Sequence, residues 1–399
     1  MNFSFPTRRV KEGVAEIFIP DLSKVEGRTS DQPSSNAPVF YNPRMKMNRD
    51  TAVLALCVHH VRLSRRLRVC EPMCGTGVRG LRIALEVDGV ESVVMGDLNP
   101  YAVRLAEENV AANGVSSRVR ARLMDANLLL SMHDRPWARF DYIDLDPYGS
   151  PAPYLDSAVR ACRSGGMVAL TATDMAPLCG VNPKACLRKY GGLPLRTEYC
   201  HEVALRLVAG ILVKVSARHG TAAHPVFGYA ADHYVRLYAV LNRGARDANR
   251  CLDGVGYLLH CFKCNDRRPA TVDELGEGRE CEVCGSKMSI GGPLWLGDCS
   301  DREFCDAMLS LSERSLLYSD PRLVNLIRLV GQEIGFGPTF YDIDQICSML
   351  KTPSLPTDEV VSAIRDAGYR VTRTNFDERG LKTEASIVEL KNIIKSLIR

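Results

Sequence analysis

The feature that most restricts the fold of this chain is a regular alternation of short apolar segments with amphipathic ones between Arg68 and Leu241. Short apolar segments predict strands, whereas apolar residues repeated every three or four positions, such as Val78, Leu81 and Leu85, predict helices. Strands that alternate with helices form a doubly wound parallel sheet. The predicted strands are residues 68–71, 93–96, 119–124, 141–145, 167–171 and 233–241, with a separate one at 15–19.

Composition narrows the class of protein further. The chain has 399 residues, 46% of them apolar, which is enough for a large core and two or three domains. The formal net charge of +4 permits a basic face but does not by itself indicate nucleic-acid binding. We find neither a signal peptide nor a run of apolar residues that could span a membrane. The fifteen cysteines are therefore expected to be reduced thiols or metal ligands in the cytoplasm.

A glycine turn after the strand at 68–71 is the first candidate binding site. Glu71 is followed by Gly75 and Gly77, an acid-x-x-x-Gly-x-Gly pattern in which the glycines let the backbone approach a ligand closely. Gly80 completes the pattern G-x-G-x-x-G, so the glycines alone leave a nicotinamide cofactor open.

The ends of the next two strands favour a different cofactor. Asp97 ends the strand at 93–96 and can accept hydrogen bonds from both ribose hydroxyls of an adenosine. Asp125 and Ala126 follow the strand at 119–124, at the position that lies beside the adenine in methyltransferases. Ligand-type residues at successive strand ends lie along one crevice of such a sheet. We therefore expect S-adenosylmethionine as the cofactor.

The segment 141–150 begins as a strand and ends in the acid-Pro-aromatic turn Asp146-Pro147-Tyr148. It resembles the Asn/Asp-Pro-Pro-aromatic signature of methyltransferases that act on exocyclic amino groups. Such an amine is a poor nucleophile, because its lone pair is delocalised into the base. The Asp146 carboxylate and the backbone carbonyl of Asp146 or Pro147 can accept its two N–H groups and direct the lone pair at the sulfonium methyl. Tyr148 can stack on the extruded base.

A cysteine nucleophile for carbon-5 methylation is the nearest rival. Cys179 follows a predicted strand and could attack a pyrimidine, but a buried cysteine is usually only a small hydrophobe. The Asp-Pro-Tyr turn fits an amine nitrogen better than a ring carbon. We therefore take Asp146 as the catalytic residue.

Taken in order along the chain, these motifs and several others resemble those of the archaeal and eukaryotic tRNA (guanine-26-N2) dimethyltransferases, over nearly the whole length. Tyr148 stands where that family often has Phe, and Val14 stands where it often has Lys. The matching segments include residues 39–45, 48–50, 77–82, 144–151, 173–180, 232–236 and 380–385.

The resemblance implies an activity and a set of site residues. The activity is transfer of one or two methyl groups from S-adenosylmethionine to the N2 atom of a guanine in tRNA, with position 26 expected. Phe40 and Tyr148 would sandwich the guanine, and Asp146 would act on its N2. Methylation of another tRNA guanine or of an adenine amine, or a non-catalytic RNA-binding role, stays open as an alternative. The residues implied to contact the cofactor are Arg49, Arg79, Asp97, Asp125 and Ala126.

Two Cys-x-x-Cys pairs predict a metal site. Cys261 and Cys264 are followed, 16 residues later, by Cys281 and Cys284, which is the spacing of a zinc ribbon. Four thiolates close the tetrahedral shell of Zn²⁺, so the expected role is structural.

The predicted architecture has two parts. A Rossmann-like class I methyltransferase domain with an N-terminal arm, rich in turn formers at 31–38, covers residues 1–255. A smaller α+β domain, residues 256–399, combines the zinc ribbon with a winged-helix-like module and binds tRNA together with the first domain. No obligate protein partner is evident. The arginines expected to contact phosphates are Arg62, Arg65, Arg66 and Arg68.

Overall fold

The computed structural model of this chain describes residues 5–21, 37–276 and 279–398. It begins with an antiparallel hairpin of β1 (Thr7–Glu12) and β2 (Ala15–Pro20), whose turn places Gly13 at a left-handed φ of 58°. Strand β2 confirms the prediction for residues 15–19, whereas β1 was missed because its four charged residues obscure the apolar alternation. Apart from residues 37–38, the turn-rich stretch lies outside the described residues.

The middle of the chain alternates strands and helices as predicted. Asn99 begins one helix by accepting a hydrogen bond from the N–H of Tyr101, and Pro100 follows at a position where its missing N–H costs nothing. The elements in order are α1 (Lys46–Leu63), β3 (Leu67–Glu71), α2 (Val78–Glu86), β4 (Val90–Asp97), α3 (Pro100–Ala112), β5 (Val119–Leu123), α4 (Ala126–Ser131), β6 (Phe140–Leu145), α5 (Leu155–Ala161), β7 (Cys162–Ala172), α6 (Met175–Leu178), α7 (Pro183–Tyr190), α8 (Cys200–Arg218), β8 (Thr221–Ala231), β9 (Tyr234–Arg243) and α9 (Ala245–Asp253).

Strands β3 to β9 form one seven-stranded sheet in the order β5-β4-β3-β6-β7-β9-β8. Strands β3 to β7 run parallel, and β9 lies antiparallel between β7 and β8. The prediction of a mainly parallel sheet is confirmed. The strand predicted at 233–241 is β9, which runs antiparallel to both of its neighbours. The edge strand β8 was missed, because Pro225 interrupts its pattern. An edge strand with a register shift at that proline tolerates the lost N–H.

The central strands are buried on both faces. Successive side chains of a strand point to opposite faces, so Tyr142 of β6 packs into one core cluster and Ile143 into the other. Every residue of β6 is buried, as is typical of a parallel strand covered by helices on both sides. The side chains of β7 also alternate between the two core clusters. This alternation fixes the register of β7 against β6, which brings the carboxyl ends of the two strands to one edge of the sheet.

A second, three-stranded sheet in the order β11-β10-β12 carries the cysteine pairs. After it, two helices return to the first sheet: Phe304 and Met308 are fully buried in the core cluster that α1 and β8 also line. Contacts therefore cross the predicted boundary between residues 255 and 256, and the division into two domains remains a prediction. The elements are β10 (Val255–His260), β11 (Arg267–Ala270), β12 (Ser289–Trp295), α10 (Arg302–Arg314) and α11 (Pro321–Gln332).

The chain ends in a small α+β module whose strands have the order β13-β15-β14. Asp342 begins its first helix by accepting a hydrogen bond from the N–H of Gln345. Thr357 is the first residue of the next helix. No helix in the described part of the chain is long and apolar enough to cross a membrane. The elements are β13 (Tyr341–Asp342), α12 (Ile343–Leu350), α13 (Thr357–Asp366), β14 (Val371–Arg373), β15 (Gly380–Thr383) and α14 (Ile387–Ser396).

Candidate active site

A cavity of about 370 Å³ opens at the carboxyl ends of β3 and β6, a size within the usual range of ligand sites. Parallel strands bring their carboxyl ends to one edge, and the loops that follow them form its walls. Of the residues predicted from the sequence, those that line it are Phe40, Arg49, Glu71, Gly75, Arg79, Asp146, Pro147 and Tyr148.

The glycine turn between β3 and α2 has backbone conformations and close packing that require glycine. Gly75 and Gly77 both have left-handed backbones, with φ of 53° and 75°. A Cβ on Gly80 would lie 2.6 Å from the sulfur of Met95 and 2.9 Å from a carboxylate oxygen of Glu71. The third glycine is therefore explained by packing of the helix on the sheet, and it gives no support to a nicotinamide site.

Asp97, Asp125 and Ala126 follow in order along the same sheet edge but do not line this cavity. The Asp97 carboxylate accepts hydrogen bonds from the N–H of Gly75 at 2.9 Å and of Asn99 at 2.9 Å. Asp125 caps α4 through the N–H of Leu128 at 3.0 Å. Their carboxylates are thus oriented by local backbone.

Arg49 lines the cavity and forms an ion pair that could not be predicted from the sequence. Its guanidinium donates to both oxygens of Glu12, each at 2.6 Å, and so joins the N-terminal hairpin to α1. Arg82 donates to the same carboxylate at 3.1 Å. Burial alone would raise the pKa of Glu12, but the charges of Arg49 and Arg82 outweigh it and hold the pKa at about 2.

Arg79 lies at the base of the cavity among three carboxylates. It donates to Asp146, to Asp144 at 3.1 Å and to the side-chain oxygen of Asn48 at 2.8 Å. Its Nε lies 3.4 Å from Glu71, whose pKa burial raises to about 8. The ion pair orients one oxygen of Asp146; among the described residues, none donates a hydrogen bond to the other oxygen, Oδ1.

Asp144, the carboxylate that Arg79 contacts, also pairs with a second arginine that was not predicted from the sequence. Arg236 of β9 is fully buried and donates to both oxygens of Asp144, at 2.9 and 2.6 Å. Burial would raise the pKa of Asp144, but Arg236 and Arg79 outweigh it and lower that pKa. The available signal was Asp144 itself, a charged residue inside the buried strand β6, which requires a buried cation nearby.

The Asp-Pro-Tyr turn presents its aromatic ring to the cavity mouth. Its shape is fixed by Gly149, whose N–H donates to the hydroxyl of Thr173 at 2.8 Å. The Tyr148 ring is 69% exposed and meets Phe40 edge to face, with ring centroids 4.7 Å apart and planes at 70°. No base fits between rings in direct contact. The predicted sandwich therefore requires Phe40 and Tyr148 to separate and turn.

The two Cys-x-x-Cys pairs come together as the spacing predicts. The sulfurs of Cys261, Cys264, Cys281 and Cys284 all lie within 4.8 Å of one another. Each pair forms the same tight turn, with the residue after it left-handed: Asn265 at φ 69° and Gly285 at φ 66°.

The arginines predicted to contact phosphates lie far from this site. These arginines lie at the sheet edge opposite Asp146, in the last turn of α1, in the loop after it or at the start of β3: Arg62, Arg65, Arg66 and Arg68. Arg62 pairs with Asp301 at 3.1 Å and Arg65 with Asp141 at 2.8 Å. The geometry does not favour them as contacts to the RNA next to the reacting base.

The fold and this crevice together define a class I methyltransferase. The family model for N2,N2-dimethylguanosine tRNA methyltransferase matches residues 13–395, and the chain belongs to that family. The resemblance drawn from the sequence motifs is thus confirmed, as is its reading as a tRNA guanine-N2 methyltransferase.

Individual relatives match over nearly their whole length. The tRNA (guanine(26)-N(2))-dimethyltransferase of Methanothermobacter thermautotrophicus is 39% identical over 389 residues, which cover 98% of this chain and 99% of the relative. A relative from Aquifex aeolicus, named for both guanine 26 and guanine 27, is 34% identical and covers 97% of this chain and 96% of its own length. The structure of Trm1 from Pyrococcus horikoshii with S-adenosyl-L-methionine is 32% identical, with a TM-score of 0.83 over 97% of this chain and 99% of that one.

Proposed function

We propose that this chain transfers one or two methyl groups from S-adenosylmethionine to the exocyclic N2 of guanine 26 in tRNA. The observation that carries the proposal is the Asp146 carboxylate at the cavity wall, oriented by Arg79 through one oxygen. The Methanothermobacter relative is named for that position. The name of the Aquifex relative makes guanine 27 the second candidate target.

The crevice residues fit the proposed cofactor. Asp97 would accept hydrogen bonds from the ribose hydroxyls, and Asp125 and Ala126, further along the same sheet edge, would contact the adenine. Gly75 leaves room beside the glycine turn. Arg49 and Arg79 would donate hydrogen bonds to the methionine carboxylate of the cofactor. Each already pairs with protein carboxylates, so each would have to bind the cofactor carboxylate in addition to these partners. S-adenosylmethionine supplies an electrophilic methyl group on a positively charged sulfur.

Activation of the amine falls to the turn. Asp146 Oδ1 and the carbonyl of Asp146 or Pro147 accept the two N–H groups of the guanine amine. These two hydrogen bonds orient the amine nitrogen so that its lone pair is directed at the cavity. In this orientation the lone pair is less delocalised into the ring. The carboxylate also stabilises the positive charge that develops on nitrogen as the new N–C bond forms, and accepts the proton that leaves. Phe40 and Tyr148 hold the extruded base by stacking.

We also infer that the four cysteines Cys261, Cys264, Cys281 and Cys284 hold a structural Zn²⁺. Four sulfurs in two matching turns suit a tetrahedral ion and leave no open position. The Nζ of Lys391 in α14 donates to the carbonyl of Cys264 at 2.7 Å, which links the ribbon to the C-terminal module. Exchange of Cys261 for Ser should release zinc and loosen that module, measured by elemental analysis and limited proteolysis.

The partition into a catalytic domain, 1–255, and a tRNA-binding domain, 256–399, completes the proposal, with tRNA lying across both parts. We place the reaction in the cytoplasm, in keeping with fifteen cysteines of which none is in a disulfide.

Nucleoside mass spectrometry of tRNA transcripts tests the function. Incubation with S-adenosylmethionine should yield N2-methylated guanosine from a wild-type transcript and none from one with adenine at position 26. Neither of these transcripts has guanine at position 27. A third transcript, with adenine at 26 and guanine at 27, separates the two candidate targets, because it can yield N2-methylated guanosine only if guanine 27 reacts. Methylated adenosine, unchanged methylation of a transcript with guanine at neither position, or no methylation of the wild-type transcript would each contradict the proposal.

A further inference from the structure

Two cysteines and a histidine lie together outside the predicted active site. The short helix α6 ends at Cys179, and the long helix α8 begins with Cys200 and His201. The two sulfurs and an imidazole nitrogen all lie within 4.8 Å of one another, and all three residues are partly buried. Neither the amine chemistry of Asp146 nor the four-cysteine ribbon uses these groups.

We propose that Cys179, Cys200 and His201 form a second zinc site, with one coordination position left open. Two thiolates and one imidazole are a donor set that Zn²⁺ accepts. Zn–S bonds of about 2.3 Å and Zn–N bonds of about 2.0–2.1 Å at tetrahedral angles place the ligand atoms roughly 3.5–3.8 Å apart. Atoms already within 4.8 Å need to close by about an ångström, which side-chain rotation provides.

The position of Cys200 favours the thiolate that a metal requires. Cys200 is the first residue of α8, a helix of 19 residues, and so stands at the positive end of the helix dipole. Such a position stabilises a thiolate over a thiol. Two thiolates would then balance the charge of the Zn²⁺ ion, so the partly buried cluster would carry no net charge.

The open position follows from the count of ligands and from exposure. Three protein ligands leave the fourth corner of a tetrahedron, and the cluster is not sealed from solvent, so a water oxygen completes it.

The proposed site would brace the loop that follows β7. Thr173, at the start of this loop, lines the cavity and bonds the backbone of the Asp-Pro-Tyr turn. Cys179 comes six residues later, at the end of α6. A metal that joins α6 to α8 would hold the loop in place, and its role would be to position the loop and not to react.

Zinc content of the full-length protein tests the proposal, because the ribbon and the new site can be removed separately. The reduced protein, saturated with Zn²⁺ and desalted, should hold two equivalents by elemental analysis. C200S and H201A should each hold one, C261S should also hold one, and the double variant C200S/C261S should hold none. Cys57, a partly buried cysteine outside both clusters, provides the control: C57S should keep two equivalents.

Circular dichroism of each variant checks that it is folded, and cobalt substitution gives an independent readout. Co²⁺ bound to C261S should show sulfur-to-cobalt charge-transfer absorption that C200S/C261S lacks. One equivalent of zinc in the wild-type protein, with the same content in C200S and H201A, would overturn the proposal. So would a disulfide between Cys179 and Cys200 in protein purified with zinc, detected by peptide mapping without reductant.

Discussion

At the residue scale, the decisive group is the Asp146 carboxylate, because one of its oxygens is fixed by Arg79 and the other faces the cavity without a donor among the described residues. Exchange of Asp146 for Ala should lower the rate of methyl transfer by about 10²–10⁴-fold, the usual contribution of a positioned acceptor or base. Cofactor affinity should stay near that of the wild type, because the proposed role is on the amine.

Single-turnover rates on one tRNA transcript, with calorimetric titration of S-adenosylmethionine in parallel, provide the measurement. Exchange of the exposed Asp88 for Ala is the matched control and should leave both unchanged. An Asp146 variant with near wild-type turnover would show that another group activates the amine.

Tyr148 contributes a ring face and not a hydroxyl. Its ring is exposed at the cavity mouth, against Phe40. Exchange for Phe should therefore be nearly silent, whereas exchange for Ala should cost roughly 1–3 kcal/mol of stacking. The comparison uses the same single-turnover assay. An equal loss of rate in the Phe and Ala variants would mean that the reaction needs the hydroxyl, and not the ring.

At the scale of elements, a buried carboxylate links the N-terminal hairpin to two helices of the methyltransferase core, beside hydrogen bonds from β2 to Asn109 of α3 and to Asn113, which follows that helix. Glu12 ends β1 and pairs with Arg49 of α1 and Arg82 of α2. Its pKa is about 2, against 4.5 for an unperturbed Glu, which corresponds to roughly 3 kcal/mol of stability. Because the pKa is lower in the folded protein, this contribution is complete above about pH 4.5 and is lost as the pH falls towards 2.

Exchange of Glu12 for Gln should therefore destabilise the protein by roughly 3 kcal/mol at pH 7 and by progressively less as the pH falls from 4.5. Urea unfolding of wild type and variant at several pH values measures the difference. Glu16, in the same hairpin, pairs with Arg9 at the surface and is the control: its exchange for Gln should cost at most about 1 kcal/mol. A pH-independent difference for Glu12 would refute the ionic origin.

At the scale of the whole molecule, the C-terminal module is joined to the core by a buried lysine. Lys382 of β15 is 2% exposed and donates to Glu202 of α8 at 2.7 Å and to the carbonyl of Gly337 at 3.1 Å. Burial would raise the pKa of Glu202, but Lys382 and Arg206 outweigh it and lower that pKa. The pair thus links β15 of the C-terminal module to α8 of the core.

Exchange of Lys382 for Met should lower the free energy of unfolding by about 3 kcal/mol. This value is at the lower end of the usual cost of breaking a buried ion pair, because Arg206 still pairs with Glu202. The exchange should also raise the KM for tRNA while leaving the affinity for S-adenosylmethionine near that of the wild type. Steady-state kinetics and urea unfolding measure both. Lys395, exposed on α14, is the control. Unchanged stability and KM would show that the module docks without this pair.

The sequence by itself determined the features that depend on neighbours along the chain. Alternating apolar segments predict the strands and helices, the glycine turn requires its own residues to be small, and the Asp-Pro-Tyr turn and each cysteine pair are contiguous. Their order also identified the family. These features could be predicted because the physical cause of each, backbone conformation or ligand spacing, acts within a few residues.

Only the tertiary structure decided which distant charges meet. Arg79 and Asp146 are 67 residues apart, and Arg236 and Asp144 are 92 apart. Nothing in the local sequence distinguishes these arginines from surface ones, because an arginine is stable in either setting and its partner is chosen by sheet order and helix packing. The cluster of Cys179, Cys200 and His201 was hidden for the same reason: proximity across the fold brings these residues together, and not the residues beside them.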